Sequence, residues 1–201
     1  MFAISFVHGL VVLSAGISFL GAFAYIRDTI AGRTKPNRVS WAMWALAPLI
    51  GTAAALSAGA DPWATVRLFL AGFLPLLVFI ASFANSKSEW TLTRFDLLCG
   101  AFSVAALLVW LGIDSPRIAI LCAAIGDGFA VIPTLVKAWH HPETETGAAY
   151  IAALVSVLLV LPSIPEWTIE NAAFQIYLLV GSIALLIAIY RKPVIGWISA
   201  R

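Results

Sequence analysis

Charge is scarce in this chain. Of 201 residues, 12 are Lys or Arg and 10 are Asp or Glu, 11% in all, against about 25% in an ordinary soluble domain. That scarcity excludes a solvated globular surface. A net charge of only +2 excludes the strong basic field that nucleic acid requires. Cysteine is almost missing. Cys99 and Cys122 both fall inside apolar runs, so there is no disulfide framework and no metal-ligand spacing. They read as small buried hydrophobes, and no metal or cofactor is expected. The N-terminus, M-F-A-I-S-F-V-H, lacks the basic n-region of a secretory signal. The first apolar run is therefore expected to be a retained span.

What is present is hydrophobic. Residues of that class make up 62% of the chain, and the mean hydropathy is +0.98. These values predict an integral membrane protein. A spanning helix needs about 20 mainly apolar residues, and charges bound seven such runs: Phe2–Ile26, Val39–Ala60, Leu68–Ser86, Leu97–Ile113, Ile118–Val136, Thr146–Pro165 and Ala172–Tyr190. Lipid offers the backbone no hydrogen-bond partner, so each run is expected to be helical. The alternating polarity of a barrel strand is missing. With seven spans, ten basic residues fall on one side: Arg27, Arg33, Lys35, Arg38, Lys87, Arg94, Lys137, Arg191, Lys192 and Arg201. Only Arg67 and Arg117 fall near the other. The positive-inside rule then puts the N-terminus outside and the C-terminus in the cytoplasm of a cell-membrane protein.

The layout repeats. A basic hairpin within Ala24–Leu46 has a counterpart within Pro133–Leu154, 109 positions later. The turns A-D-P-W-A-T at 60–65 and I-P-E-W-T-I at 164–169 also correspond. The expected organisation is a three-helix bundle over 1–86, a linker helix region over 87–115, a second three-helix bundle over 116–190 and a cytoplasmic tail over 191–201. A single helix between two triplets restores orientation, so the triplets run parallel, a plan found among transporters. The tail is expected to act as an interfacial anchor.

Three helices, a linker helix and three more, N-out and C-in, resembles the plan of the SWEET sugar transporters and the wider PQ-loop group. The second hairpin, I-P-T-L-V-K-A-W-H-H-P-E-T-E, resembles the PQ-loop pattern, with Pro133 matching the proline and Thr134 in place of glutamine. In the first hairpin Ala24 and Tyr25 hold those places, and K-P-N-R-V-S-W resembles the turn entering the second helix. The nicotinamide riboside carriers share the plan and are rich in tryptophan, which W-A-M-W at 41–44 would suit. The resemblance implies a carrier. It also implies gating prolines, for which Pro48, Pro133 and Pro162 stand here, with Pro75 as an extra one. SWEET-like carriers use asparagines on helices three and seven. Asn171 fits the second, but Arg67 occupies the first, which argues against a sugar.

Asp127 is the single acid within a span, and such groups usually face a bundle interior or a watery path. Three roles fit: a proton carrier, a direct substrate ligand, or a protonated acid bonded to a neighbouring helix. Gly126 and Gly128 flank it and permit close helix approach. Trp41 and Trp44, three apart, share a helix face; Trp44 lies deeper and could line a pocket. Tyr150 is the counterpart of Trp41. Asn171 and Gln175 share a face of the last helix, with Tyr177 nearby. Trp63, Trp90, Trp110, Trp139, Trp167 and Trp197 read as an interfacial belt. His8 reads as an interior polar group. His140, His141, Glu143 and Glu145 read as a solvated turn.

No cluster of nucleophiles, acids or metal ligands supports an enzyme, and the last run has no lysine for a retinal Schiff base. The expectation is a membrane carrier of a small polar solute working by alternating access, with Asp127 as a possible proton link. The alternatives are a vitamin or nucleoside carrier and a non-transporting receptor or assembly protein of the same fold. The expected partners are the solute and the lipid bilayer.

Overall fold

The computed structural model describes residues 6–57, 62–112, 115–164 and 166–199. Seven α-helices account for most of them: α1 (Phe6–Ile30), α2 (Arg38–Ser57), α3 (Pro62–Ala81), α4 (Arg94–Leu111), α5 (Pro116–His140), α6 (Ala148–Val160) and α7 (Ile169–Ser199). Short 3-10 turns lie at Ser86–Ser88, Pro142–Thr144 and Leu161–Ser163. No strand occurs among the described residues. Four segments are long and apolar enough to cross a membrane: Gly9–Ile30, Arg94–Leu111, Ile120–His140 and Ala172–Lys192. Leu68–Ala81 and Ala148–Val160 are shorter apolar helices. Leu20, Phe23, Leu56 and Leu108 are each more than half exposed. A helical membrane protein exposes such side chains to lipid, where they cost nothing; in water they would form an adhesive surface.

Sequence chemistry sets the helix ends. Gly32 has φ +77°, the one positive φ among the described residues. It closes α1 in a Schellman motif, with Gly32 N–H donating to Thr29 O at 3.0 Å and Arg33 N–H to Asp28 O at 2.9 Å. The Asn85 amide donates to Ile30 O at 2.8 Å, satisfying another orphan carbonyl of that helix end. Asn37 Oδ1 caps α2 by accepting from Val39 N at 3.1 Å and Ser40 N at 3.3 Å. Thr93 and Asp96 form a full capping box at α4. Pro116 opens α5, where its missing N–H removes no helical bond.

The packing of six helices obeys an exchange rule. α1 packs on α3 and α6, α2 on α3 and α5, and α7 on α5 and α6. Swapping α1 with α5, α2 with α6 and α3 with α7 turns each of these pairings into another of them. The list of pairings is thus unchanged by that exchange. α4 stands outside it and packs mainly on α5 and α2.

Several boundaries differ from the sequence expectation. The apolar run expected to contain Pro162 stops being α-helical at Val160, and Pro162 lies exposed in the following 3-10 turn. A proline lacks the N–H that would continue the α-helical ladder. α3 starts at Pro62, six residues before its uncharged run. α5 continues past Val136 to His140, because the Lys137 charge is paired inside the bundle. Residues 191–199, expected as a separate tail, prolong α7. Arg191 sustains that run. It donates to Ala188 O at 2.7 Å and to Trp139 O, and lies 4.1 Å from the centre of the Trp139 ring. Asp61 and Pro165 of the two matching turns lie outside the described residues, as do Arg201 and the side chains of His8, Trp63, Arg67, Arg117, Asn171 and Trp197.

Candidate functional site: a central cavity and its closure

A cavity of about 580 Å³ lies between the triplets. All six helices of the two triplets line it, and α4 contributes nothing. Trp41, Trp44 and Pro48 come from α2, and Asp127 and Val131 from α5. Tyr150 and Ser156 come from α6, and Gln175, Tyr177 and Ser182 from α7. Ser14, Ser18 and Leu74 of α1 and α3 complete the wall. The volume lies within the usual range of small-molecule sites.

The polar groups of this wall are unevenly partnered. Ser18 and Ser156 hydroxyls bond at 2.9 Å, and Ser156 donates to Ser14 O at 3.0 Å, tying α1 to α6. Trp41 and Trp44 meet edge to face, with ring centres 5.1 Å apart. The Trp41 indole N–H has no hydrogen-bond partner. Asp127 and Tyr177 lie within electrostatic reach of each other, but the Tyr177 hydroxyl makes no hydrogen bond of ordinary geometry. Asp127 has no ion pair among the described residues, and no Lys, Arg or His lines the cavity there. Gly126 points elsewhere: a Cβ on it would lie 3.1 Å from that of Ala106, so it seats α5 against α4.

Towards the basic hairpins the cavity stops at a polar clamp. Glu145 Oε2 accepts from Tyr25 Oη at 2.7 Å and Tyr150 Oη at 3.0 Å. Its Oε1 lies 2.5 Å from Lys137 Nζ, an ion contact without directed hydrogen-bond geometry. The two charged side chains are 1% and 0% exposed. Lys137 also donates to Lys35 O, and the Trp90 ring covers it at 5.3 Å. The two hairpins pair directly, Lys35 N–H donating to Thr144 O at 2.9 Å. Thr146 Oγ1 donates to Asp28 Oδ2 at 2.9 Å and bonds Thr34 Oγ1. Tyr25 packs on Trp41 with centroids 4.7 Å apart and on Tyr150 at 6.1 Å, so both repeat counterparts bear on one ring. Thr134 donates to Ser40 Oγ at 2.8 Å on the exchanged pair, α5 with α2. Breaking a buried ion pair by removing one partner costs about 3–5 kcal/mol, so this closure is firm.

Of the residues singled out from sequence, Asp127, Trp41, Trp44, Gln175, Tyr150 and Pro48 share the cavity wall. Pro133 is fully buried within α5 and does not line it; Pro162 does not line it either. Glu145 corrects the expected solvated turn: it is buried, because the turn folds it back onto Lys137 and the two phenols. His140, His141 and Glu143 do stay exposed. Trp90 is a cover on Lys137 rather than a free belt residue. Sequence reasoning missed Tyr25, Lys137 and Glu145 as a unit. The available signal was a lysine and a tyrosine placed inside helix ends. No group of three or more potential metal ligands occurs among the described residues. No family model matches the chain, and neither a curated protein nor a solved structure matches it significantly.

Proposed function

We propose that this protein is a multi-pass membrane carrier of a small polar solute, working by alternating access between its two triplets. The carrying observation is the central cavity, walled by all six exchange-related helices and shut at one end by the Tyr25–Glu145–Lys137–Tyr150 clamp. On this reading the basic hairpin end faces the cytoplasm, the clamp is the inner gate, and the conformation is outward-facing. The solute enters from the far end, sits among Trp41, Trp44, Asp127 and Gln175, and leaves once the clamp parts. Both contact pairs that join the triplets, α1 with α6 and α2 with α5, then slide together. This reading follows the resemblance to the SWEET and PQ-loop plan, with α4 as the linker helix. Pro48 in the cavity wall is a natural bending point for α2. Asp127 is the coupling group.

The test uses the full chain reconstituted in liposomes. A thermal-stabilisation screen over sugars, nucleosides, amino acids and amines selects compounds, and labelled hits are then assayed for uptake. Saturable uptake that is lost in Trp44→Ala and loses its pH dependence in Asp127→Asn is expected. Stabilisation by a ligand that never crosses the membrane would remove the carrier reading and leave a receptor.

A further inference from the structure

Among the described residues the cavity wall holds one carboxyl group, that of Asp127, and no basic side chain, Lys, Arg or His, and Asp127 has no ion pair. Most of the remaining wall is Ala, Leu, Val and Pro. An anion would meet repulsion there. A neutral polyol would find hydroxyl and amide partners in Ser14, Ser18, Ser156, Ser182 and Gln175, but would leave the carboxylate uncompensated. A metal ion would need several oxygen ligands, and the wall offers one carboxylate. The two perpendicular indoles present aromatic surface to the same space. Indole faces attract cations, and most strongly when water is excluded. The Trp41 N–H, which has no partner, adds a donor, and the Tyr177 O–H lies against Asp127.

We propose that the solute is an organic cation, a protonated or quaternary nitrogen on a flat apolar body, with its charge on Asp127 and its ring against Trp41 and Trp44. This rests on the carrier reading for transport, but not for binding. One carboxylate cannot hold a proton and a cation together. A protonated Asp127 therefore releases its proton to the open side as the cation arrives, and each cation carried is exchanged for a proton. Tyr177 of α7 is the titratable neighbour of Asp127. The two indoles of α2 line the same cavity; from α4 the helix is met by Ser103 and Ala106 at Gly126. Lys137 and Glu145, at the hairpin end, neutralise each other.

The probe pair is N-methylquinolinium and neutral quinoline, compared at pH 8 by calorimetric titration of the purified full chain. The cation is expected to bind roughly tenfold tighter or better than the neutral ring. Asp127→Asn should remove that preference, and Trp44→Ala should weaken both. Cation affinity should rise with pH until Asp127 is fully ionised. Equal affinities, no binding by either probe, or a preference that survives in Asp127→Asn would overturn the proposal. Uptake into liposomes separates the two claims. A cation that binds through Asp127 without crossing keeps the site and sinks the carrier. Saturable uptake of neutral solutes with no cation preference does the reverse.

Discussion

Glu145 and Asp127 are both buried carboxyl groups in an apolar bundle, and their surroundings are opposite. Glu145 is saturated: a lysine on one oxygen, two phenols on the other, and contributions from both triplets. Asp127 has a tyrosine for a neighbour and a cavity in front of it. The first arrangement locks helices together. The second leaves electrostatic demand unmet, which is what a binding site requires and a scaffold avoids. Buried charge in this molecule thus has two uses, distinguished by whether its partner is built in.

The comparison breaks most readily at the clamp. Glu145→Ala strands the Lys137 ammonium and should cost about 3–5 kcal/mol in denaturant unfolding of the detergent-solubilised chain. The double variant Lys137→Met with Glu145→Leu should recover most of that loss. An equal loss in the double variant would show that packing, not charge, closes the end. A smaller effect is expected where helices are tightly seated. A Cβ on Gly72 would lie 2.8 Å from Ala45 O and 2.8 Å from Leu49 Cγ, so Gly72→Ala should cost about 1–3 kcal/mol. Gly181 lines the cavity with nothing within 4 Å of its Cβ direction, and Gly181→Ala should stay well below the Gly72 value in the same assay. The smallest effect belongs to Asp127→Asn. With no ion partner to lose, its unfolding free energy should stay within about 1 kcal/mol of the parent, or rise. A loss comparable to that of Glu145→Ala would make Asp127 structural.

How legible was this from sequence? The helices were, because seven apolar stretches, six of them uncharged and one carrying Asp127, leave little choice in lipid. Asp127, Trp41, Trp44, Gln175 and Tyr150 were legible as a site because rare polar or large aromatic groups in such runs face inward. The clamp was not. Lys137 and Glu145 were counted as loop charges because their pairing depends on a turn, Pro142–Thr144, that brings eight-residue neighbours back together. Tyr25 lies 120 positions from Glu145 in the chain, a contact that only the triplet exchange creates. Pro162 was misplaced for the converse reason: hydropathy registers apolar length but not where the helical ladder stops.

The unbroken course of α7 has a mechanical consequence. Its 31 residues extend about 46 Å along the helix, beyond the roughly 30 Å of hydrocarbon, with Pro193 near the far end. Gln175 and Tyr177 sit near one end, and the stretch past Arg191 forms the other. Treated as a lever, a tilt of about 10° at the cavity moves the far tip by roughly 6 Å. If occupancy of the cavity tilts α7, a spin label or fluorophore at the last turn, on the basic side, would register it.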